Sequence, residues 1–477
     1  MDKITGQLRS GVLFSAIGQY GTTIMTLIVT SVLSRLLSPD QYGIVAIVLV
    51  FLSFFQIFAE LGAGPAIIQN KDMTDKDNSD VFWVLLMMGI VLGGVFAFSG
   101  HLVAFLYKQK ELVNVFLAMS PLLVVSVLTI VPNAILLKQK RFRAVNFITL
   151  IGAFLGAIVG ILAALIGLGI YSLVLSNLIP AIMKLILMFK ESNLKLKKIG
   201  YHGYTKISSF SRYQFGFTLI NFFSRNLDNL LVGKYFGAVA LANYNKSYQL
   251  IMYPNTIFTN VITPVLQPIF SSDNVKLDVL KEAYERVLFI LSLIGVPLSL
   301  YMAMMSKQII VFLYGNQWMA AITPFMILSV TVWIQMLIST TGSVFQSVNK
   351  VGFLMFGGII SALILVTSIL IGLLVGDING LALSLAVGFF VNFVFSFSLL
   401  YTMVFKSTII DVIRLILKPI LISLVPGLML QLVLNLHVVD KFNVFLSLAS
   451  TGLGYFAIVL FLYWKVLKVN LFVVFRR

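Results

Sequence analysis

Residues 144–189 read AVNFITLIGAFLGAIVGILAALIGLGIYSLVLSNLIPAIMKLILMF, and across that stretch the sole charged side chain is Lys184. A membrane-crossing helix needs about 20 apolar residues, so the stretch holds two, at 144–166 and 169–189, with Gly167-Leu168-Gly169 as the turn between them. Working outward, the same pattern recurs at 11–37, 42–69, 81–107 and 112–137 before it. It recurs again at 208–234, 239–270, 284–306, 318–345, 351–375, 378–405, 411–435 and 443–464 after it. Of the 477 residues 59% are hydrophobic and 11% charged, and the mean hydropathy is +1.01. Soluble domains carry roughly 25% charged residues, and no single water-soluble core could hide this much apolar surface. The expected fold is an all-α polytopic membrane protein with about fourteen transmembrane helices, and no room remains for a sizeable soluble domain.

The net charge of +17 does not point to nucleic acid, because the lysines and arginines sit in short connections between apolar runs. With alternating sides assigned to the spans, about 24 of the 34 fall on the side of the termini and about 6 on the other. The terminus side includes Lys138, Lys140, Arg141 and Arg143, then Lys190, Lys195, Lys197, Lys198 and Lys206. By the positive-inside rule both termini are cytoplasmic. The first apolar run is too long for a signal-peptide core and lacks a cleavage site, so it reads as a retained span. Trp83, Trp318 and Trp464 fall at expected span ends, as interfacial anchors do. The absence of cysteine excludes disulfides and thiol chemistry.

Internal repetition shapes the domain reading. The turn Ser34-Arg35-Leu36-Leu37-Ser38-Pro39 followed by Gly43 has a weak counterpart in Gly233-Lys234-Tyr235-Phe236-Gly237 followed by Ala242, six spans later. An even offset gives both halves the same orientation, so the two are expected to be related by a pseudo-twofold axis along the membrane normal. The organisation read from this is an amino-terminal six-helix lobe at 1–190, a basic cytoplasmic connection at 191–207, and a second six-helix lobe at 208–406. Two extra helices with a basic tail follow at 407–477.

The chain lacks a phosphate-binding GxxxxGK[ST] loop. His101, His202 and His437 are scattered without ligand-spaced carboxylates, so neither a metal centre nor a cofactor is expected. No catalytic constellation stands out, and the protein reads as a transporter rather than an enzyme. The glycine-rich pieces are explained by turns and by close helix packing.

Polar residues inside spans are the informative signal. Span seven carries Gln214, Thr218, Asn221, Arg225 and Asp228 at alternating steps of three and four, which line one helical face. Span eight continues with Lys246, Gln249, Tyr253, Thr256, Asn260, Thr263 and Gln267, and its Pro254, Pro264 and Pro268 suggest a broken helix lining a cavity. Milder stripes occupy span one (Ser15, Gln19, Thr22, Thr26) and span two (Ser53, Gln56, Glu60). These four helices are expected around an aqueous cavity between the lobes. A charge within a bilayer costs roughly 2.5 to 3.5 kcal/mol on insertion scales, so Arg225, Asp228 and Lys246 need partners or water. One reading pairs Arg225 with Asp228 structurally and lets Lys246 snorkel outward. The other makes them an electropositive site for an anionic group, with Gln19, Gln214, Asn221, Gln249 and Asn260 lining the cavity. Glu60 and Asp228 are the candidates for coupling to an ion or proton.

The motifs SRLLSPDQYG at 34–43 and AELG at 59–62 resemble the polysaccharide-transporter family of the multidrug/oligosaccharidyl-lipid/polysaccharide exporter superfamily. LLKQKRFR at 136–143 and AALIGLGIYSLV at 163–174 are similar to its Wzx-type, teichuronic-acid-exporter branch. The resemblance implies a flippase of the bacterial cytoplasmic membrane that carries undecaprenyl-diphosphate-linked oligosaccharide from the inner to the outer leaflet by alternating access. Membrane lipids and the polysaccharide assembly machinery would be its other partners. A cation-antiporter reading on the same fold calls for unpaired carboxylates where spans seven and eight carry a basic surplus. A glycan polymerase or ligase calls for long outer connections, whereas the longer connections here are cytoplasmic.

Overall fold

The computed structural model describes the backbone of residues 2–60, 62–70, 72–206, 208–270, 277–348, 350–436 and 443–467. Their side chains are described except at 2–17, 19, 208–214, 216–217, 220–221, 223–225, 258–270, 351 and 467. Helices account for nearly all of it, and there is no strand among the described residues. The chain divides into two compact units, Met1–Ala242 and Asn243–Arg477.

The first unit begins with α1 (Asp2–Leu36), α2 (Pro39–Glu60), the short α3 (Ala63–Gln69) and α4 (Asp75–Tyr107). Then come α5 (Glu111–Lys138), α6 (Phe142–Leu165), α7 (Ile170–Ser192), the one-turn α8 (His202–Thr205) and the start of α9 (Ser208–Phe270). Local chemistry sets these ends. Ser38 and Gln41 exchange side-chain to backbone bonds around Pro39, which suits the first turn of a helix because it has no N–H to satisfy. Thr74 and Asp77 form a full capping box at the start of α4.

The opening hairpin becomes α6 and α7, and its glycines are the contact. Gly152, Gly156 and Gly160 recur every fourth residue and face Pro180 and Ser176 of α7. A Cβ on Gly160 would stand 2.7 Å from that of Ser176, and one on Gly156 would lie 2.9 Å from the Ser176 carbonyl oxygen. In lipid, where apolar side chains gain nothing by leaving the solvent, such close backbone approach is what drives helices together. Gly167 and Gly169 take the positive φ values of 85° and 55° that the turn requires.

The second unit contains the remainder of α9, then α10 (Leu277–Met304), α11 (Ser306–Tyr314), a 3₁₀ segment at Asn316–Ala321, α12 (Ile322–Ser329), α13 (Val332–Ile338) and α14 (Thr341–Ser347). It continues with α15 (Val351–Val375), α16 (Ile378–Leu400), which ends in a π-turn at Tyr401–Phe405, α17 (Ile410–Asn435) and α18 (Val444–Leu467). The last two pack on α10 around Leu293, Tyr301, Leu430 and Tyr455, and the Tyr455 hydroxyl donates to the Pro297 carbonyl at 3.1 Å.

Ten helices among the described residues are long and apolar enough to cross a membrane, and a bent pair raises the number to eleven. The expected spans at 11–37, 208–234 and 239–270 fall in α1 and on the two sides of the break in α9, helices whose side chains are described in part. Four details depart from expectation. The span expected at 42–69 stops at Glu60 and resumes at Ala63, because Gly62 turns the chain with a φ of 71°. The span expected at 318–345 is the bent pair, with a 50° angle between Asn316–Ser329 and Val332–Ser347. Span eight is not broken at its prolines: the backbone is helical from 238 to 270, and the non-helical residue is Gly237, at φ 86° and ψ 174°. Trp318 is no interfacial anchor, since it is fully buried.

Candidate functional site

Both expected charge-bearing spans belong to α9, which Gly237 divides. In the first unit the segment before Gly237 lies along α2, with ring contacts between Phe54 and Phe222 at 5.5 Å and between Phe58 and Phe215 at 5.2 Å. Beyond Gly237 the chain passes so close to α2 that a side chain on Gly43 would strike the Ala238 carbonyl. The Tyr107 hydroxyl donates to the Leu230 carbonyl at 3.0 Å, and Lys234 donates to the Leu106 carbonyl. These contacts fix the depth and rotation of the helix that carries Asp228. Asp228 is 8% exposed, and its Oδ1 accepts the backbone N–H of Asn229 at 2.8 Å.

Lys246 lies in the second unit and is 3% exposed. Its ammonium stands 4.8 Å from the ring centre of Tyr314 and 5.2 Å from that of Trp318. The outward-snorkelling alternative is therefore wrong: the side chain turns into the protein, toward two aromatic faces that attract a cation. The next residue anchors the same turn of helix, since the Ser247 hydroxyl donates to the Ala321 carbonyl at 2.8 Å. One turn further on, Gln249 Nε2 donates to the Tyr253 hydroxyl at 3.0 Å.

The hydroxyl stripes have a different disposition from the amides and charges. Thr22, Thr26, Ser53 and Thr256 each donate to a carbonyl four residues earlier in their own helix. Their donors are thus spent internally, and what they can offer a ligand is an acceptor oxygen. Glu60 is exposed and is the last residue of α2, beside the break at Gly62. The side chains of Gln19, Gln214, Asn221, Arg225 and Asn260 lie outside the described residues. Among the described residues no group of three His, Asp or Glu could hold a metal ion.

Sequence reasoning missed Tyr314 and the role of Trp318. The available signal was slight: the segment Tyr314-Gly315-Asn316-Gln317-Trp318, two aromatics four apart around a glycine, and elsewhere in the chain a span whose single lysine needed a partner. It also missed two clamps. In the first unit Lys206 donates to Asp77 at 2.7 Å, and the backbone N–H of Gly203 donates to Asp80 at 3.1 Å. These bonds tie the basic connection to the start of α4. In the second, Lys281 at the start of α10 donates to Asp411 at 2.6 Å.

A family model described as "polysaccharide biosynthesis protein" matches residues 32–323. The chain is 25% identical over 347 residues to the teichuronic acid biosynthesis protein TuaB of Bacillus subtilis (strain 168), covering 72% of each protein. It is 21% identical over 373 residues to the lipopolysaccharide biosynthesis protein WzxC of Escherichia coli (strain K12), covering 76% of this chain and 74% of that one. Among solved structures, the lipid II flippase MurJ in an inward closed conformation superposes with a TM-score of 0.73 at 15% identity, covering 96% of this chain and 100% of the other. That likeness is one of fold.

Proposed function

This chain belongs to the family of polysaccharide biosynthesis proteins whose model spans residues 32–323, and from that premise we propose that it is a flippase for lipid-linked oligosaccharide. It carries undecaprenyl-diphosphate-linked repeat units from the inner to the outer leaflet of a bacterial cytoplasmic membrane, with both termini on the cytoplasmic side. The relatives' names, in teichuronic acid and lipopolysaccharide biosynthesis, support a cell-surface glycan as the cargo. Transport by alternating access between the lobes 1–190 and 208–406 requires no chemistry on the substrate, so no catalytic residue is assigned.

The observation that carries the reading is the polar segment α9, with a buried Asp228 before its break at Gly237 and a buried Lys246 after it. Each charge costs roughly 2.5 to 3.5 kcal/mol to place within a bilayer, and transport is the task that gives such charges a use. A diphosphate needs cations, a sugar chain needs amides and hydroxyl acceptors, and a polyprenyl tail can stay in lipid throughout. Arg225 and Lys246 supply the positive charge in this proposal, Gln19, Gln214, Asn221, Gln249 and Asn260 the amides, and Glu60 or Asp228 the coupling group. The test is to deplete the protein, isotope-label the lipid-linked intermediates and determine their leaflet. Accumulation of complete repeat units on the cytoplasmic face is expected. Accumulation of unpolymerised units on the outer face would instead support a polymerase and defeat the flippase reading.

A further inference from the structure

Lys246 is placed where a ligand cannot reach it, and the chain goes to some trouble to place it there. Gly315 ends α11 with a φ of 94° and a ψ of 174°, a conformation that favours glycine. The chain then runs as the 3₁₀ segment Asn316–Ala321, in which Trp318 departs from helical geometry at φ −105° and ψ 23°. This irregular turn brings the rings of Tyr314 and Trp318 to 6.0 Å with 58° between their planes, and both face the Lys246 ammonium. The rings are 1% and 0% exposed. Ser247, bonded to Ala321, pins the helix that bears the lysine to the end of the same segment.

An aromatic face holds an ammonium without donating a formal negative charge, so the lysine keeps its attraction for an anion while it is held. We propose that Tyr314 and Trp318 keep the Lys246 ammonium in reserve. In this conformation the cation rests against the rings, and it leaves them to meet the substrate diphosphate in another. The rings and the diphosphate then compete for one cation, which weakens the binding of a tightly paired anion enough to let it go after translocation. The proposal rests on the reading of Lys246 as a diphosphate ligand. Tyr314 and Trp318 are positioning residues, since they act through Lys246.

Competition of this kind has a sign that a packing role would not produce. When the binding-competent state is a fraction of the total, the apparent dissociation constant is the intrinsic one divided by that fraction, so removing a ring that favours the reserve state tightens binding. Full-length protein reconstituted in phosphatidylcholine vesicles is titrated with undecaprenyl diphosphate. Tyr314→Leu and Trp318→Met are each expected to bind about three- to thirtyfold more tightly, the range that cation–π energies convert to. Export by these variants is expected to slow. Tyr314→Phe and Trp318→Phe, which keep a ring face, should bind as the wild type does, and the tightening should vanish when Lys246→Met is added. With Trp83, Trp333 and Trp464 changed to Phe, the emission of Trp318 reports on the ammonium directly, and a shift on adding undecaprenyl diphosphate is expected. Unchanged or weaker binding by either ring-removing variant that folds, or a Trp318 emission indifferent to the diphosphate, overturns the proposal while Lys246→Met still loses affinity. If Lys246→Met binds as tightly as the wild type, the assignment of Lys246 to the substrate falls, and this proposal with it.

Discussion

Asp228 and Arg225 stand three residues apart in the sequence of α9, and their separate contributions can be resolved by substitution. Asp228 is buried; if Arg225 is its cationic partner, a single Arg225→Ala should cost about 3 to 5 kcal/mol and lower the amount of protein in the membrane. The double variant Arg225→Ala with Asp228→Ala removes the orphaned charge and should restore abundance. If Arg225 and Lys246 hold the diphosphate, export should stay low in the double variant, and Lys246→Ala should be equally defective. Normal export in the two together, measured against abundance on a membrane blot, would remove these residues from the site. Glu60 is a different case. It ends α2 beside the positive-φ Gly62 and is exposed, so Glu60→Gln keeps its shape and has little to disturb in packing. If Glu60 couples transport to protons, the Gln variant should lose the pH dependence of export at full abundance. Export that follows the wild-type pH profile would exclude it.

At the scale of elements, stability concentrates in joints that can be named. Asp77 accepts from the Thr74 backbone at 2.9 Å and its hydroxyl at 2.7 Å, as well as from Lys206 at 2.7 Å. Removing the Asp77 carboxylate forfeits its half of the capping box of α4 and the tether of the basic connection at once. Asp77→Ala should therefore cost more than Lys206→Ala, about 2 to 3 kcal/mol against about 1, since Lys206 is partly solvated and its loss leaves Asp77 with the cap bonds. Thermal unfolding in detergent, read on both variants, checks the order; equal losses would mean that the cap contributes nothing. The α6–α7 joint has less tolerance. At Gly156 a methyl group would press on Ser176 and Pro180, and Gly156→Ala should destabilise by about 1 to 3 kcal/mol through overpacking. Gly94, with open space around it, is the control: Gly94→Ala should be neutral or slightly stabilising by helix propensity.

At the scale of the molecule, the absence of cysteine allows topology to be mapped with single introduced thiols. Ser38→Cys and Lys110→Cys should react with an impermeant reagent from outside, and Lys195→Cys should react in opened cells alone; all three positions are exposed. Labelling of Lys195→Cys in sealed cells would overturn the cytoplasmic assignment of the basic connections. Each unit also holds a long-range clamp. In each unit the start of a long helix, α4 or α10, is ion-paired to chain about 130 residues further on, Asp77 to Lys206 and Lys281 to Asp411, with the charges exchanged. The sequence by itself determined the class of protein, most of the membrane-crossing helices and the residues that would be costly to bury, because span length, apolarity and the placement of lysine and arginine act locally and need no partner to be read. It also singled out the polar face of α9 as the candidate site, since steps of three and four define a face whatever that face meets. It could not say where a buried lysine would turn, because that depends on residues some seventy positions away, at Tyr314 and Trp318, brought within reach by the turn at Gly315. Nor could it separate a proline that a helix absorbs from a glycine that breaks it: Pro254 stays within α9, and Gly237 and Gly62 interrupt their helices. Those choices belong to tertiary packing, which decides which freed backbone groups find partners and which side chains face a neighbour.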